Sequence, residues 1–138
     1  MYKQLIVRTL ALTAGICLMG SQAQAVAWGT ITSKVGSAYG NFYNQAYVTA
    51  RNTDSHKKND SGDDGVYVHT NYDFGPHTVV YYWTNSRRTT SHSYVGSYSE
   101  HDLLYSDSYV RATINVCEDR SFQPDPCSEA SAIPSFSY

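Results

Sequence analysis

From Tyr109 to Glu118 the chain alternates, with Val110, Ala112, Ile114 and Val116 on one phase and Tyr109, Arg111, Thr113 and Asn115 on the other. Side chains two apart share a face of a strand, so such a stretch has one side to bury and one to leave wet. The same rhythm returns elsewhere. In Gly65 to Phe74, Val66, Val68, Thr70, Tyr72 and Phe74 oppose Tyr67, His69, Asn71 and Asp73, and in Ser91 to Ser99, His92, Tyr94, Gly96 and Tyr98 oppose small residues. In Phe42 to Arg51, Ala46, Val48 and Ala50 oppose Tyr47, Thr49 and Arg51. Beyond the N-terminal stretch no segment places apolar residues at helical spacing, and Tyr, Thr, Val and Ser are plentiful while Leu is scarce. These residue types favour pleated, half-buried surfaces.

Other segments complete the plan. Thr78 to Thr84 is a nearly continuous apolar and aromatic run, which reads as a central strand covered on both faces. Trp28 to Val35 reads as a first strand with Gly36 to Gly40 as its turn. Asp54 to Asp64 reads as a charged connection, and Gly75-Pro76 as a tight one. Ser128 to Tyr138 reads as a tail or edge strand. About six to eight short strands in a single domain of about 110 residues predict a small antiparallel β-sandwich. A transmembrane barrel is disfavoured by strands too short and too few, and by Pro134 in the last segment.

The first 25 residues stand apart. A basic start with Lys3 and Arg8, an apolar stretch from Thr9 to Met19 and the small residues of Ala23-Gln24-Ala25 form the plan of a cleavable signal peptide, with cleavage expected before Val26. The apolar stretch is about half the ~20 residues of a spanning helix, so no transmembrane anchor is expected. Ile16 stands before Cys17 where a lipoprotein peptidase needs a small residue, so lipid attachment is not expected either. The domain 26–138 is then secreted or periplasmic in a bacterium.

An oxidising compartment gives the two remaining cysteines a role. Of three cysteines, Cys17 leaves with the leader, so Cys117 and Cys127 have one possible pairing. The segment between them is charged and proline-bearing, and closing a loop this short stabilises by about 2.5–3 kcal/mol. A redox pair or metal ligands would favour the closer CxxC spacing.

Charge excludes some partners. The twelve acidic residues outnumber the ten basic ones, and Lys3 and Arg8 lie in the leader, so the exported domain is mildly acidic and offers no footprint for nucleic acid.

Candidate chemistry is sparse. Asn59-Asp60-Ser61-Gly62-Asp63-Asp64-Gly65 gathers carboxylates and glycines, making Asp60, Asp63 and Asp64 a calcium candidate, although Gly62 and Asn71 break the EF-hand template. A solvated connection explains the same residues, and no other cofactor is implied. The five histidines lack the paired spacing of a helical zinc motif, and no Gly-x-Ser-x-Gly elbow presents a serine. No catalytic residue is therefore assigned. Tyrosine remains as the signal, since a flat ring with a hydroxyl suits stacking on sugars or docking on a protein. Tyr47, Tyr67 and Tyr109 lie on the polar phases of their segments and are the candidate ligand-binding residues. Cross-strand aromatic pairs that merely stabilise the sheet are the alternative.

Arg111-Ala112-Thr113-Ile114-Asn115-Val116-Cys117-Glu118-Asp119, followed by Pro124-Asp125-Pro126-Cys127-Ser128, resembles a group of small secreted bacterial proteins in which a C-terminal strand runs into a disulfide-closed loop. The resemblance covers the last quarter of the domain and implies the strand and the disulfide, but no activity. Trp28 and Ser37-Ala38-Tyr39-Gly40-Asn41-Phe42-Tyr43 are similar to the lactococcin-972 type of secreted bacteriocin, a small β-sandwich acting at the cell envelope. Those bacteriocins lack this cysteine pair. The expectation is an exported, non-enzymatic protein that binds an extracellular or envelope glycan or protein. The alternatives are a bacteriocin or toxin-like protein, and a small hydrolase using histidine and carboxylates from the loops, which substitution of His69, His92 and His101 would test.

Overall fold

The computed structural model describes residues 24–44, 49–60, 64–76, 80–90, 93–101 and 108–137. The expected leader up to residue 23, Tyr47 and Asp63 lie outside them. The fold is all-β, a sandwich of two four-stranded antiparallel sheets. The first sheet has the order β1 (Gln24–Thr32), β2 (Gly36–Asn44), β3 (Thr49–Lys58), β6 (Tyr94–His101). The second has the order β5 (Val80–Asn85), β4 (Gly65–Gly75), β7 (Tyr109–Asp119), β8 (Ser135–Ser137).

β4 and β7 form the centre of the second sheet because their alternation gives each an inner phase that is mostly apolar or aromatic, broken by Thr70 in β4 and by Glu118 at the end of β7. They pair over their whole length, from Gly65↔Asp119 to Gly75↔Tyr109. Val66, Val68, Tyr72 and Phe74 of β4 and Val110, Ala112, Ile114 and Val116 of β7 are all buried. Phe42 of β2 fills the gap between the sheets, with ring centroids 6.2 Å from Tyr72 and 5.3 Å from Phe136. Phe136 belongs to β8, so the C-terminal segment is an edge strand with one core anchor.

Four segment assignments need correction. The run from Thr78 to Thr84 is not the middle of the core: β5 is the edge strand of its sheet and pairs only with β4. Phe42 to Arg51 is not one strand, since Tyr43 faces Arg51 and Asn44 faces Ala50 across a chain reversal between β2 and β3. Gly36 to Gly40 is the start of β2, and the turn lies just before it, where Ser33 N–H donates to Gly36 O at 2.9 Å. Finally, Asp54 to Lys58 is strand, with Asp54, His56 and Lys58 buried on the inner phase of β3. Polar side chains on a buried phase erase the alternation that a sequence reading depends on.

The disulfide Cys117–Cys127 closes the loop at the end of β7. At the other end of the domain, Gln24 and Ala25 pair with Asn44 and Tyr43, so cleavage before Val26 would leave β1 starting at the Val26↔Phe42 pair.

Candidate functional site

The outer face of the second sheet carries the wet phases of β4, β5 and β7. Register fixes its rows: Trp83, Asn71 and Thr113 lie side by side, as do Asn85, His69 and Asn115, while Tyr67 faces Cys117 and Asp73 faces Arg111. Tyr67, His69, Asn71, Trp83 and Asn85 line a shallow depression of about 440 Å³. Trp83 is 66 % exposed, because its strand is at the edge and its phase faces outward. The His69 ring centroid is 6.1 Å from that of Trp83, and His69 Nδ1 lies 2.6 Å from Asn85 Oδ1. Asn71 Oδ1 is occluded in the floor with no hydrogen-bond partner.

Charges at the rim are engaged with one another. Arg111 holds Asp73 through Nη2 at 2.5 Å and Nε at 2.6 Å. At the opposite end the Tyr67 hydroxyl donates to Asp125 Oδ2 at 2.8 Å, and the Arg120 backbone N–H donates to Asp125 Oδ1 at 2.9 Å. That N–H, and then the Tyr67 hydroxyl, hold the Asp125 carboxyl below its usual range, while burial and the neighbouring carboxylate push the Tyr67 phenol well up. Tyr67 thus pins the disulfide loop against the end of the face.

Tyr67 and Tyr109 share this outer face but stand at its two ends. Tyr109 is paired with Gly75 and Tyr67 with Cys117, eight residues away, which is about 27 Å along the strand. Tyr109 is half-buried, with its ring over Gly75, where an added Cβ would lie 2.4 Å from the phenol oxygen. Trp83 lies between them, and sequence reasoning missed it by assigning its strand to the core. The run around it has no alternation from which to read a phase.

Two of the three calcium candidates, Asp60 and Asp64, fall within the described residues. Asp60 lies 3.4 Å from Lys58 Nζ, whereas Asp64 lines a separate depression with Glu118, Arg120, Ser121 and Gln123. Among the described residues no three His, Cys, Asp or Glu side chains are grouped to hold a metal ion. Of the three candidate catalytic histidines, His69 joins the depression, His101 Nδ1 contacts Thr49 Oγ1 at 2.9 Å, and His92 lies outside the described residues.

One His–carboxylate pair exists where none was expected. His56 Nδ1 is 2.5 Å from Asp54 Oδ1, and both side chains are fully buried between the sheets. Period two places residues 54 and 56 on one face, a signal lost when the segment is read as a loop. Closed off from solvent, the pair acts as internal structure.

No protein-family model, no curated protein and no solved structure matches the chain.

Proposed function

We propose that this is an exported, non-enzymatic binding module that holds an extracellular or envelope ligand on the outer face of its second sheet, centred on Trp83. The observation that carries the reading is an exposed indole beside a depression lined by Tyr67, His69, Asn71 and Asn85. An indole offers a broad flat apolar face together with an N–H donor, a combination that recognition sites favour. The disulfide suits an oxidising compartment, and no helix among the described residues is long and apolar enough to cross a membrane.

The test is capture from an envelope fraction and a glycan array by the oxidised protein, beside Trp83→Ala. Trp83 is preferable to the tyrosines as a probe, because it is largely exposed and outside the core cluster whereas Tyr67 and Tyr109 are half-buried. Selective capture lost in W83A, with an unchanged melting curve, supports the site. Capture that survives W83A removes it. An inert protein moves the weight to the toxin-like reading, for which growth inhibition of related bacteria is the assay.

A further inference from the structure

We infer that the ligand of this face is an uncharged carbohydrate, one sugar ring stacking on Trp83 while its hydroxyls are read by Asn71, His69 and Asn85; this rests on the reading of the face as the binding site.

Three observations select that chemistry. Among the described residues the depression is lined by a phenol, an imidazole, an indole and two amides, with no carboxylate, ammonium or guanidinium. At the two ends of the face, Asp73 is paired with Arg111, and Asp125 accepts from Tyr67 and the Arg120 backbone. An ionic ligand would lose its hydration here without gaining a counter-charge.

The floor also asks for donors. Asn71 Oδ1 has no partner. His69 Nδ1 faces the Asn85 carbonyl oxygen and so donates to it, which makes Nε2 the acceptor of the neutral ring. An outward acceptor at His69, beside the side-chain amides of Asn71 and Asn85, favours a ligand rich in O–H or N–H groups and disfavours polyether surfaces that cannot donate.

Finally, the apolar surface has the wrong extent for a protein partner. A stable protein interface covers about 800 Å² per partner around an apolar centre. Here a single indole is ringed by Asn, His, Tyr and, on β7, Thr113 and Asn115. An exposed indole with a phenol and an imidazole beside it, amid hydrogen-bonding groups, matches a sugar, which has an apolar C–H face and a polar rim. The depression lies within the roughly 300–1,000 Å³ common to small-ligand sites. From Asn71 to Tyr67 the platform runs about 13 Å along β4, long enough for more than one sugar ring.

The experiment is titration calorimetry of the oxidised full domain with soluble neutral oligosaccharides of glucose and of N-acetylglucosamine, beside the acidic polysaccharide alginate. Neutral probes are expected to bind, with affinity unchanged as salt rises from low to about 0.5 M, where surface charge attraction is screened. W83A should weaken binding about thirtyfold, the effect of a hot-spot aromatic, while Trp83→Phe retains part of it and Asn71→Ala weakens it about tenfold. Melting curves of all three variants should overlay that of the parent. Preference for alginate with steep salt dependence would overturn the inference. So would failure of every neutral probe, and if envelope protein capture were then still abolished by W83A, the binding face would stand without its carbohydrate ligand. Binding of sugar unaffected by both W83A and N71A would remove the face itself.

Discussion

The indole N–H of Trp28 donates to Asn52 Oδ1 at 2.9 Å, reaching from β1 across β2 to β3 on the inner side of the first sheet. The crossing is possible because Gly40 lies beneath it. A Cβ at Gly40 would sit 2.8 Å from Trp28 Cζ2 and 1.9 Å from the Thr53 carbonyl oxygen, and the latter is backbone that cannot swing aside. Gly40→Ala is therefore expected to cost about 3 kcal/mol in urea unfolding, at the upper end of overpacking effects. A loss below about 1 kcal/mol would mean that the two strands separate easily here.

Asn52 continues inward as a polar node. Its Nδ2 donates to the Tyr98 hydroxyl at 2.5 Å, which lies 2.7 Å from Thr70 Oγ1 on the facing sheet. One amide thus joins β1, β3, β6 and β4. Asn52→Ala strands the Trp28 donor and should cost about 2–4 kcal/mol, whereas Thr70→Val should cost about 1 kcal/mol. Combined, the two should be non-additive by at least about 0.5 kcal/mol, because they dismantle one network. Simple additivity in denaturant unfolding would show that the Thr70 hydroxyl is satisfied elsewhere.

These interior polar groups explain what could be read from the chain and what could not. β4 and β7 were legible because their buried phases, Thr70 and Glu118 apart, are Val, Ile, Ala, Tyr and Phe, and the disulfide followed from the two cysteines beyond the expected leader. β3 was not, because its buried phase is Ala50, Asn52, Asp54, His56 and Lys58, which reads as a solvated loop. Asn52 is tolerated inside because Trp28, Thr70 and Tyr98 on other strands supply its partners, a tertiary fact, while Asp54 and His56 pair with each other along β3. Trp83 was misplaced for a related reason: an edge strand and a central strand can share one composition, and only pairing decides which is which. Tyr67 and Tyr109 stand on the polar phases that alternation picks out in their segments, but their separation along β4 and β7 depended on register.

Alkaline pH should weaken the fold through two phenols. Burial, and for Tyr98 also the Asp54 charge, pushes Tyr98 and Tyr72 well above the usual value of 10.0. A raised folded value means that the neutral ring is the form the fold retains. Stability from these groups is complete below pH 10 and falls as pH rises further, since the unfolded chain then releases protons that the folded one keeps. Denaturant midpoints measured from about pH 8 to 11.5 should decline only above about pH 10, and in Tyr98→Phe that decline should be shallower. An equal decline in the variant would assign the effect to other groups.

Phe122 combines a positive φ of 66° with a fully exposed ring at the tip of the disulfide loop. A bulky L-residue in the left-handed region is strained by about 1–2 kcal/mol, and glycine is not. The ring gains nothing in return from burial. Phe122→Gly is expected to stabilise by about 0.5–1 kcal/mol, less than the relieved strain because the unfolded chain gains freedom. A higher thermal midpoint with unchanged ligand binding is the readout, and destabilisation would show that the Phe122 ring packs against the loop in solution.

The loop itself makes the last case. Cys117 is buried opposite Tyr67, and Cys127 returns the chain so that Ser128 N–H donates to Val116 O at 2.8 Å and Ser128 Oγ accepts from Val116 N–H at 3.1 Å. Pro126 O accepts from Glu118 N–H at 3.0 Å, and Asp125 takes its two bonds from Tyr67 and Arg120. The covalent link and the noncovalent contacts therefore restrain the same short segment, but at different stages. The contacts exist only in the folded state, whereas the disulfide also restricts the unfolded chain. Cys117→Ser with Cys127→Ser should cost about 2.5–3 kcal/mol if the loop keeps its folded position without the bond, and the Arg120 amide should then stay protected from hydrogen exchange. If the loop detaches, the loss will exceed that figure and Arg120 protection will vanish, because the Tyr67–Asp125 bond goes with it. Measuring unfolding and exchange together on the double variant separates an entropic staple from a structural one.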